Sequence, residues 1–174
     1  GIVALGHEVM VFASDFYRPQ HSVSDMVPGV RMVYLPTRLR RIFPPAYIPF
    51  IPVLYREIKN GEYDIVQSEE FLQWGTILSA MASLKSHTQL VIWHELNVQQ
   101  RFPGNIIQYT YAGTIGKAVM RRAALFIPRS RQARDYLLNR GIPVDKIGDV
   151  ICKGVNTEIF SPFGDREGLK RQLG

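Results

Sequence analysis

Several short apolar runs of this sequence are followed by polar side chains that can bind a ligand. His94 comes after the run 89–93, and Glu69 comes after the run 64–67. An imidazole donates or accepts a hydrogen bond near neutral pH, and a carboxylate accepts hydrogen bonds from hydroxyl groups. The candidate binding residues are Ser68, Glu69, Glu70, His94, Glu95 and Asn97. We expect these residues to orient a ligand that carries hydroxyl groups. The sequence does not identify a pair of carboxylates as acid and base, because the distance between residues on different loops cannot be read from it.

These residues also have structural interpretations. A lone histidine at the end of a strand often bonds only to a neighbouring loop. Glu69 and Glu70 stand where carboxylates cap the start of the next helix. The residue types alone leave both interpretations open.

Ser130 and the arginines beside it form a second candidate group. Ser130 precedes a helical pattern, so its hydroxyl is expected to cap that helix. The backbone amides at this helix end, with Arg129 and Arg131, would also attract a phosphate or another anion. A catalytic serine is not predicted, because no Gly-x-Ser-x-Gly turn surrounds Ser130. The sequence also lacks a glycine-rich loop of dinucleotide or P-loop spacing.

The elements that position these groups alternate between strand and helix. The predicted strands are residues 9–14, 30–35, 64–67, 89–93, 125–127 and 147–152. Apolar residues three and four positions apart predict helices over 71–84, over 107–119 and around Ala133–Leu137, the last closed by Gly141. Such alternation predicts an α/β fold with a parallel sheet, in which ligands bind beyond the carboxyl ends of the strands.

Length and composition predict one globular domain. The chain has 174 residues, 46% of them hydrophobic, and prolines interrupt its most apolar stretch before it could span a membrane. The single cysteine, Cys152, excludes an intramolecular disulfide and a cysteine-rich metal site. Residues 1–5 resemble the end of a helix, so a strand and a helix are expected before them. A sheet without that strand has unpaired neighbours, which a homodimer could fill.

The net charge of +6 favours anionic partners. Nucleic acid is not predicted, because the sequence has no helix-turn-helix, zinc-ligand spacing or RNA-binding aromatic strand. The stretch 38–55 instead joins arginines to aromatic residues, as surfaces that contact anionic membranes do. Its candidate membrane residues are Arg38, Arg40, Arg41, Phe43 and Tyr47. In the alternative interpretation the aromatic side chains pack on the domain and the arginines are solvated.

Several ordered motifs resemble those of one enzyme family. They are Gly6-His7-Glu8-Val9, Tyr63-Asp64-Ile65-Val66, Trp93-His94-Glu95, Ser130, Gly154-Val155-Asn156 and Phe160-Ser161-Pro162. In this order they resemble the N-terminal domain of family 4 glycosyltransferases. The resemblance implies a GT-B architecture, in which two Rossmann-like, doubly wound domains flank a cleft. Residues 1–160 would form the acceptor-side domain, and residues 161–174 would begin the crossover to a donor-binding domain.

The resemblance also implies a function. The chain would be the acceptor-binding half of a retaining, metal-independent glycosyltransferase that moves a sugar from a nucleotide-sugar donor to an acceptor hydroxyl. His94 would orient the sugar or the acceptor, and the polar residues after the strands would bind the acceptor. Many enzymes of this family glycosylate lipid-linked acceptors. No cofactor is expected beyond the donor substrate. The isolated chain is expected to be inactive, and the protein to be cytoplasmic, at the inner face of the membrane.

Two departures from the family pattern and two alternative functions stay open. Gln67-Ser68-Glu69 stands where a His-x-His motif is common, and Asn156 replaces an aspartate. One alternative is a non-catalytic module that binds a phosphorylated sugar or lipid head group through its arginines. The other is a sugar-nucleotide epimerase on the same two-domain plan.

Overall fold

A computed structural model describes residues 2–17, 28–45, 48–84, 86–96, 104–152, 154 and 171. Some of the predicted features lie outside these residues. They are Tyr47, Asn97, Val155 and Asn156, the Phe-Ser-Pro motif at 160–162, and the crossover segment 161–174 apart from Arg171.

The strands of the described residues are parallel and form two sheets. They are β1 (Val9–Ser14), β2 (Val30–Leu35), β3 (Ile65–Glu69), β4 (Gln89–His94) and β5 (Leu125–Pro128). One sheet pairs β1 with β2, and the other has the order β3-β4-β5. Within the described ranges no ladder joins the two sheets. The predicted α/β class with parallel strands is confirmed.

Helices connect these strands and cover the sheets. They are α1 (Leu54–Asn60), α2 (Trp74–Ser83), α3 (Gly104–Gly113), α4 (Ile115–Arg122) and α5 (Arg131–Asn139), with short 3₁₀ helices at Ile2–Leu5, Asp15–Tyr17 and Val144–Lys146. Helix α2 packs on β3, β4, α1 and α4, and α5 packs on β5.

Two apolar clusters form the core. The larger one surrounds β4 and β5 and includes the fully buried Leu90, Ile92 and Phe126. The smaller one contains Ile58 of α1 and contacts Phe12 of β1 and Val66 of β3. Side-chain packing therefore connects the two sheets where backbone pairing does not.

Helix α5 has the ends that the sequence predicts. The Ser130 hydroxyl accepts a hydrogen bond from the Ala133 amide at 3.0 Å. At the other end Gly141 adopts φ +81°, and the amides of Gly141 and Ile142 donate to the carbonyls of Leu138 and Leu137. This is the Schellman arrangement, in which glycine supplies the left-handed residue.

The predicted strand at 147–152 is wrong. Only Ile147 forms a bridge, to Phe126. The amides of Gly148 and Ile151, three residues apart, donate to the carbonyls of Phe126 and Pro128, which are two residues apart. The segment therefore carries one extra residue, and Pro128 has no N–H to donate back. Both features prevent a regular ladder.

The helical region 107–119 is also broken where the sequence predicts continuity. Helix α3 ends at Gly113 and α4 begins at Ile115, because Thr114 adopts a non-helical conformation. A Cβ at Gly116 would lie 2.8 Å from the Tyr111 carbonyl oxygen, so only glycine permits this close approach. Ile115 is consequently exposed, although Val119 is buried as expected.

Helices α1 and α2 differ from the prediction in other ways. Helix α1, which is not among the predicted helices, begins inside the stretch 38–55. Helix α2 forms as expected, but it exposes Met81 and buries small side chains, among them Thr76, Ser79 and Ala80. Small side chains let this helix approach its neighbours closely.

A lysine from a later segment closes the C-terminus of α4. The Lys146 ammonium group donates to the carbonyls of Met120, Arg121 and Ala123 at 2.8–2.9 Å. These carbonyls carry the partial negative charge of the helix end, so the lysine stabilises it.

Candidate functional site

The polar groups predicted to bind a ligand meet at one edge of the three-stranded sheet. Glu69 is the last residue of β3, His94 is the last residue of β4, and His94 pairs with Pro128 at the end of β5. The strands run slightly further than the sequence predicts, so Ser68, Glu69 and His94 lie within strands instead of after them. The carboxyl ends of parallel strands still bring Glu69, Glu70, His94 and Glu95 together.

His94 and Glu70 form the centre of this site. The His94 side chain is 1% exposed, and its Nδ1 atom lies 3.0 Å from Oε2 of Glu70. The backbone amides of Glu95 and Leu96 donate to Oε1 and Oε2 of the same carboxylate at 2.9 and 3.3 Å. Burial raises the pKa of Glu70, but the hydrogen bond and charge of His94 and the two amides outweigh it, so the pKa is lowered overall.

A stack of rings and a guanidinium group covers one face of His94. The Tyr136 ring lies 5.3 Å from the imidazole with an interplanar angle of 26°. Arg140 lies over Tyr136 and Tyr109, 4.8 and 4.6 Å from their centroids. Burial raises the pKa of Tyr136, with Arg140 acting in the opposite direction. Because Nε2 of His94 is buried, a ligand can reach it only if the covering groups move.

Arg129 connects the ends of the three strands. Its guanidinium lies 3.0 Å from Glu95, 3.8 Å from Glu69 and 4.4 Å from the centroid of the Trp93 ring. Two carboxylates therefore already lie beside the Arg129 guanidinium, which the sequence predicts to bind an anion. The Ser130 hydroxyl caps α5, as expected, and Arg131 is exposed on the first turn of that helix.

The remaining predicted acceptor residues are placed differently. Ser68 is buried, and its hydroxyl donates to Ser79 on α2 at 3.1 Å. Glu70 does not cap α2, whose N-cap residue, Gln73, makes no side-chain cap bond. Glu69 is largely exposed and has Arg129 as its neighbour.

The candidate membrane residues divide into two groups. Arg38, Arg40 and Arg41 are exposed, whereas the Phe43 ring packs 5.1 Å from Trp74 and 5.7 Å from Phe50. For Phe43 the structure thus has the arrangement of the alternative interpretation. The exposed apolar residues of this turn are Leu39 and Ile42, with 53% and 65% exposure.

A polar cluster that sequence reasoning missed lies at the ends of β1 and β2. Asp15 accepts hydrogen bonds from the Thr37 amide and hydroxyl at 3.0 and 2.8 Å, and Arg40 reaches it at 2.6 Å. The Ser14 and Thr37 hydroxyls lie 2.6 Å apart. The Thr37 hydroxyl is the main cause that lowers the pKa of Asp15, and the Thr37 amide and Arg40 act in the same direction against burial. The position of Asp15 after a strand was the only sequence signal.

The described residues contain neither a cluster of metal ligands nor a membrane-spanning helix. No group of three or more His, Cys, Asp or Glu side chains there is arranged to hold a metal ion. None of the helices in the described ranges is long and apolar enough to cross a bilayer.

The sequence model of glycosyltransferase family 4 matches residues 1–159. The chain belongs to glycosyltransferase family 4. No curated protein matches the sequence. The family match confirms the resemblance on which the sequence interpretation rests.

Solved structures with a similar fold come from Anabaena Alr3699/HepE. The complex with UDP-glucose has a TM-score of 0.61 at 14% identity. The complex with UDP has 0.62 at 13%, and the complex with UDP and glucose has 0.62 at 14%. Each similarity covers 97% of this chain and 50% of the HepE chain, so the family 4 domain spans half the length of HepE. The fold is that of the N-terminal half of a GT-B glycosyltransferase.

Three residues that shape this family 4 site were not among the predicted site residues. Tyr136 stacks on His94, Thr76 holds the Glu70 backbone, and Trp93 contacts Arg129. The sequence indicates Tyr136 only as part of the helix predicted around Ala133–Leu137. A signal for Thr76 was its polar side chain on the face of α2 that packs against the sheet.

Proposed function

We propose that this domain is the acceptor-binding half of a retaining glycosyltransferase that transfers a sugar from a nucleotide-sugar donor to an acceptor hydroxyl. The observation that carries the proposal is the family 4 match over a chain that brings His94, Glu70 and Glu95 to one strand edge. Residues 1–160 are the acceptor-side domain in this proposal, and 161–174 lead toward the donor-binding domain.

The geometry suits orientation of a ligand better than covalent chemistry. His94 has one nitrogen held by Glu70 and one without a partner among the described residues. Glu95 and Glu69 stand at the exposed rim beside Arg129, where carboxylates accept hydrogen bonds from sugar hydroxyls. Alignment of acceptor and donor accounts for much of the rate in bimolecular transfer. The arginine-based binding module is less favoured, because carboxylates already face Arg129.

A transfer assay tests this proposal. Protein that includes a donor-binding domain is incubated with UDP-glucose, which HepE binds, and with other nucleotide sugars and candidate acceptors. We expect a glycosylated product with the anomeric configuration of the donor, formed in the presence of EDTA and without added cofactor. His94→Ala should lower kcat, whereas Lys117→Ala on the exposed side of α4 should not. Absence of transfer with every nucleotide sugar, or an inverted product, would contradict the proposal.

The 174-residue chain alone should not catalyse this transfer. Neutralisation of the donor phosphates and alignment of the sugar require groups that the resemblance assigns to the second domain. The same assay on the isolated chain is therefore expected to give no turnover, and measurable turnover would refute this part of the proposal.

We also propose that the acceptor is lipid-linked and that the domain contacts an anionic membrane at its cytoplasmic face. Arg38 precedes the exposed Leu39 and Arg41 precedes the exposed Ile42, and each arginine contributes about 1 kcal/mol near an anionic bilayer. The Leu39 carbonyl accepts from the amides of Ile42 and Phe43, which holds the turn in place.

Co-sedimentation with lipid vesicles tests the membrane contact. Binding to vesicles that contain anionic lipid should exceed binding to zwitterionic vesicles and should fall with added salt. Leu39→Ser combined with Ile42→Ser should reduce it, whereas the matched exposed substitution Ile106→Ser on α3 should not. Equal binding by both variants would place the contact elsewhere or rule it out.

A further inference from the structure

Glu70 is held by its neighbours in a conformation that glutamate rarely adopts. Its φ angle is +61°, in the left-handed region. The Glu70 amide donates to the Trp93 carbonyl at 2.8 Å, and the Glu70 carbonyl accepts from the Thr76 hydroxyl at 2.6 Å. Strained residues of this kind persist when the surroundings over-determine them, and they cluster at functional sites.

The strained backbone directs the Glu70 carboxylate toward β4 and the residues that follow it. Oε1 accepts from the Glu95 amide, and Oε2 accepts from the Leu96 amide and faces Nδ1 of His94. Both carboxylate oxygens are therefore occupied by protein donors. Glu70 is therefore poorly placed to bind an acceptor directly, although the sequence predicts that role.

These contacts determine which nitrogen of His94 carries the proton. Nδ1 has two neighbours, the Glu70 carboxylate at 3.0 Å and the Phe71 amide at 3.4 Å. The carboxylate can only accept, and the amide can only donate, so Nδ1 cannot satisfy both. The shorter, charge-assisted contact with Glu70 favours a proton on Nδ1. In the neutral ring Nε2 is then an acceptor.

Nε2 of His94 is buried and has no hydrogen-bond partner among the described residues. A buried polar atom without a partner is unfavourable, and a ligand hydroxyl would supply the missing donor. We propose that Glu70 is a positioning residue that fixes His94 in its Nδ1–H tautomer, so that Nε2 is an acceptor for a ligand hydroxyl once the groups that cover the ring have moved. The tautomer follows from the structure alone, whereas the contact with a sugar or acceptor hydroxyl rests on the proposed function.

The test is the tautomer of His94, observed by long-range ¹H–¹⁵N NMR of histidine-labelled protein at a pH where the ring is neutral. We expect the Nδ1–H form in the wild type. In Glu70→Ala the Phe71 amide is the hydrogen-bonding neighbour that Nδ1 keeps among the described residues, so His94 should change to the Nε2–H form. Glu70→Gln keeps the side-chain shape and should shift the balance toward Nε2–H, because the charge is lost.

Glu69→Ala is the matched control. It removes a neighbouring carboxylate that is 76% exposed and contacts Arg129 instead of His94, so the tautomer should not change. The circular dichroism spectrum of each variant verifies folding, and Glu70→Gln keeps the test valid if the alanine variant unfolds. An Nε2–H ring in the wild type, or the same tautomer in all folded variants, would overturn the proposal.

Activity separates this inference from the proposed function. If both hold, Glu70→Gln should lower kcat about tenfold, the value of one hydrogen bond to the ligand, and should have no further effect in a His94→Ala background. If the tautomer changes as expected but the protein transfers no sugar, the positioning role of Glu70 stands and the glycosyltransferase proposal fails.

Discussion

The conformation of Glu70 gives a prediction in which glycine is a better residue than alanine. At φ +61° an L-residue is less stable than glycine by about 1–2 kcal/mol. Glycine loses more conformational entropy on folding, which offsets about 0.4–1 kcal/mol of that advantage. Glu70→Gly should therefore be more stable than Glu70→Ala by about 0.8 kcal/mol, within a range of about 0–1.6 kcal/mol, since both variants lose the same carboxylate contacts.

Glu57 is the matched control for this comparison, because it is an exposed glutamate within the regular helix α1. There the order should reverse, with Glu57→Gly less stable than Glu57→Ala by about 1 kcal/mol. Urea unfolding followed by circular dichroism measures all four free energies of unfolding. If alanine is at least as stable as glycine at position 70, the backbone strain described for Glu70 is absent.

Three further predictions concern stability. Gly141→Ala should lower the free energy of unfolding, measured in urea, by about 1 kcal/mol, because the position needs φ +81°. A Cβ there would meet no atom within 4 Å, so the cost comes from the backbone conformation and not from a clash. An unchanged free energy of unfolding would contradict the left-handed cap. Lys146→Met should lower the free energy of unfolding by about 2 kcal/mol, because it removes the hydrogen bonds of a charged group to three carbonyls. Lys117→Met is the control and should change stability little in the same thermal or urea unfolding assay. Asp15 has a lower pKa in the folded protein than in the unfolded chain, where it is near 4, so its carboxylate stabilises the fold at pH values above about 4 and this stabilisation is lost as the pH falls through the folded pKa. Asp15→Asn should therefore lose less stability than the wild type between neutral and acidic pH. Parallel curves of unfolding free energy against pH for the two proteins would refute the assignment.

Much of the fold could be predicted because short apolar runs and helix ends are local signals. Strands β1 and β2 have the predicted bounds, and Ser130 and Gly141 close α5 as expected. The resemblance to family 4 was equally local, since it rested on short motifs in a fixed order. Each of these features depends on a few adjacent residues.

The errors arose where distant atoms decide the structure. The break at Thr114 reflects close packing at Gly116, and the lost strand at 147–152 reflects a proline in β5. Neither effect is visible in the periodicity of the segment itself. For the same reason composition could not show that α2 buries its small side chains.

The candidate site was predicted in its membership but not in its arrangement. The sequence predicts that His94, Glu69, Glu70 and Glu95 lie at one edge of the sheet, because the residues that follow parallel strands share an edge. It could not show that Glu70 bonds to the backbone after β4, since that contact depends on a left-handed residue. The stack of Tyr136 on His94 likewise joins residues far apart in the chain.

The irregular segment beside β5 has a consequence for how the protein behaves at high concentration. An open edge of a parallel sheet offers a row of backbone donors and acceptors to any extended chain, including a partly unfolded copy of the same protein. Here Pro128 removes a donor from that edge, and the extra residue between Gly148 and Ile151 disrupts the spacing that an incoming strand would need. Among the described residues this segment forms one outer edge of the three-stranded sheet, and its irregular spacing is expected to hinder the strand addition that starts aggregation.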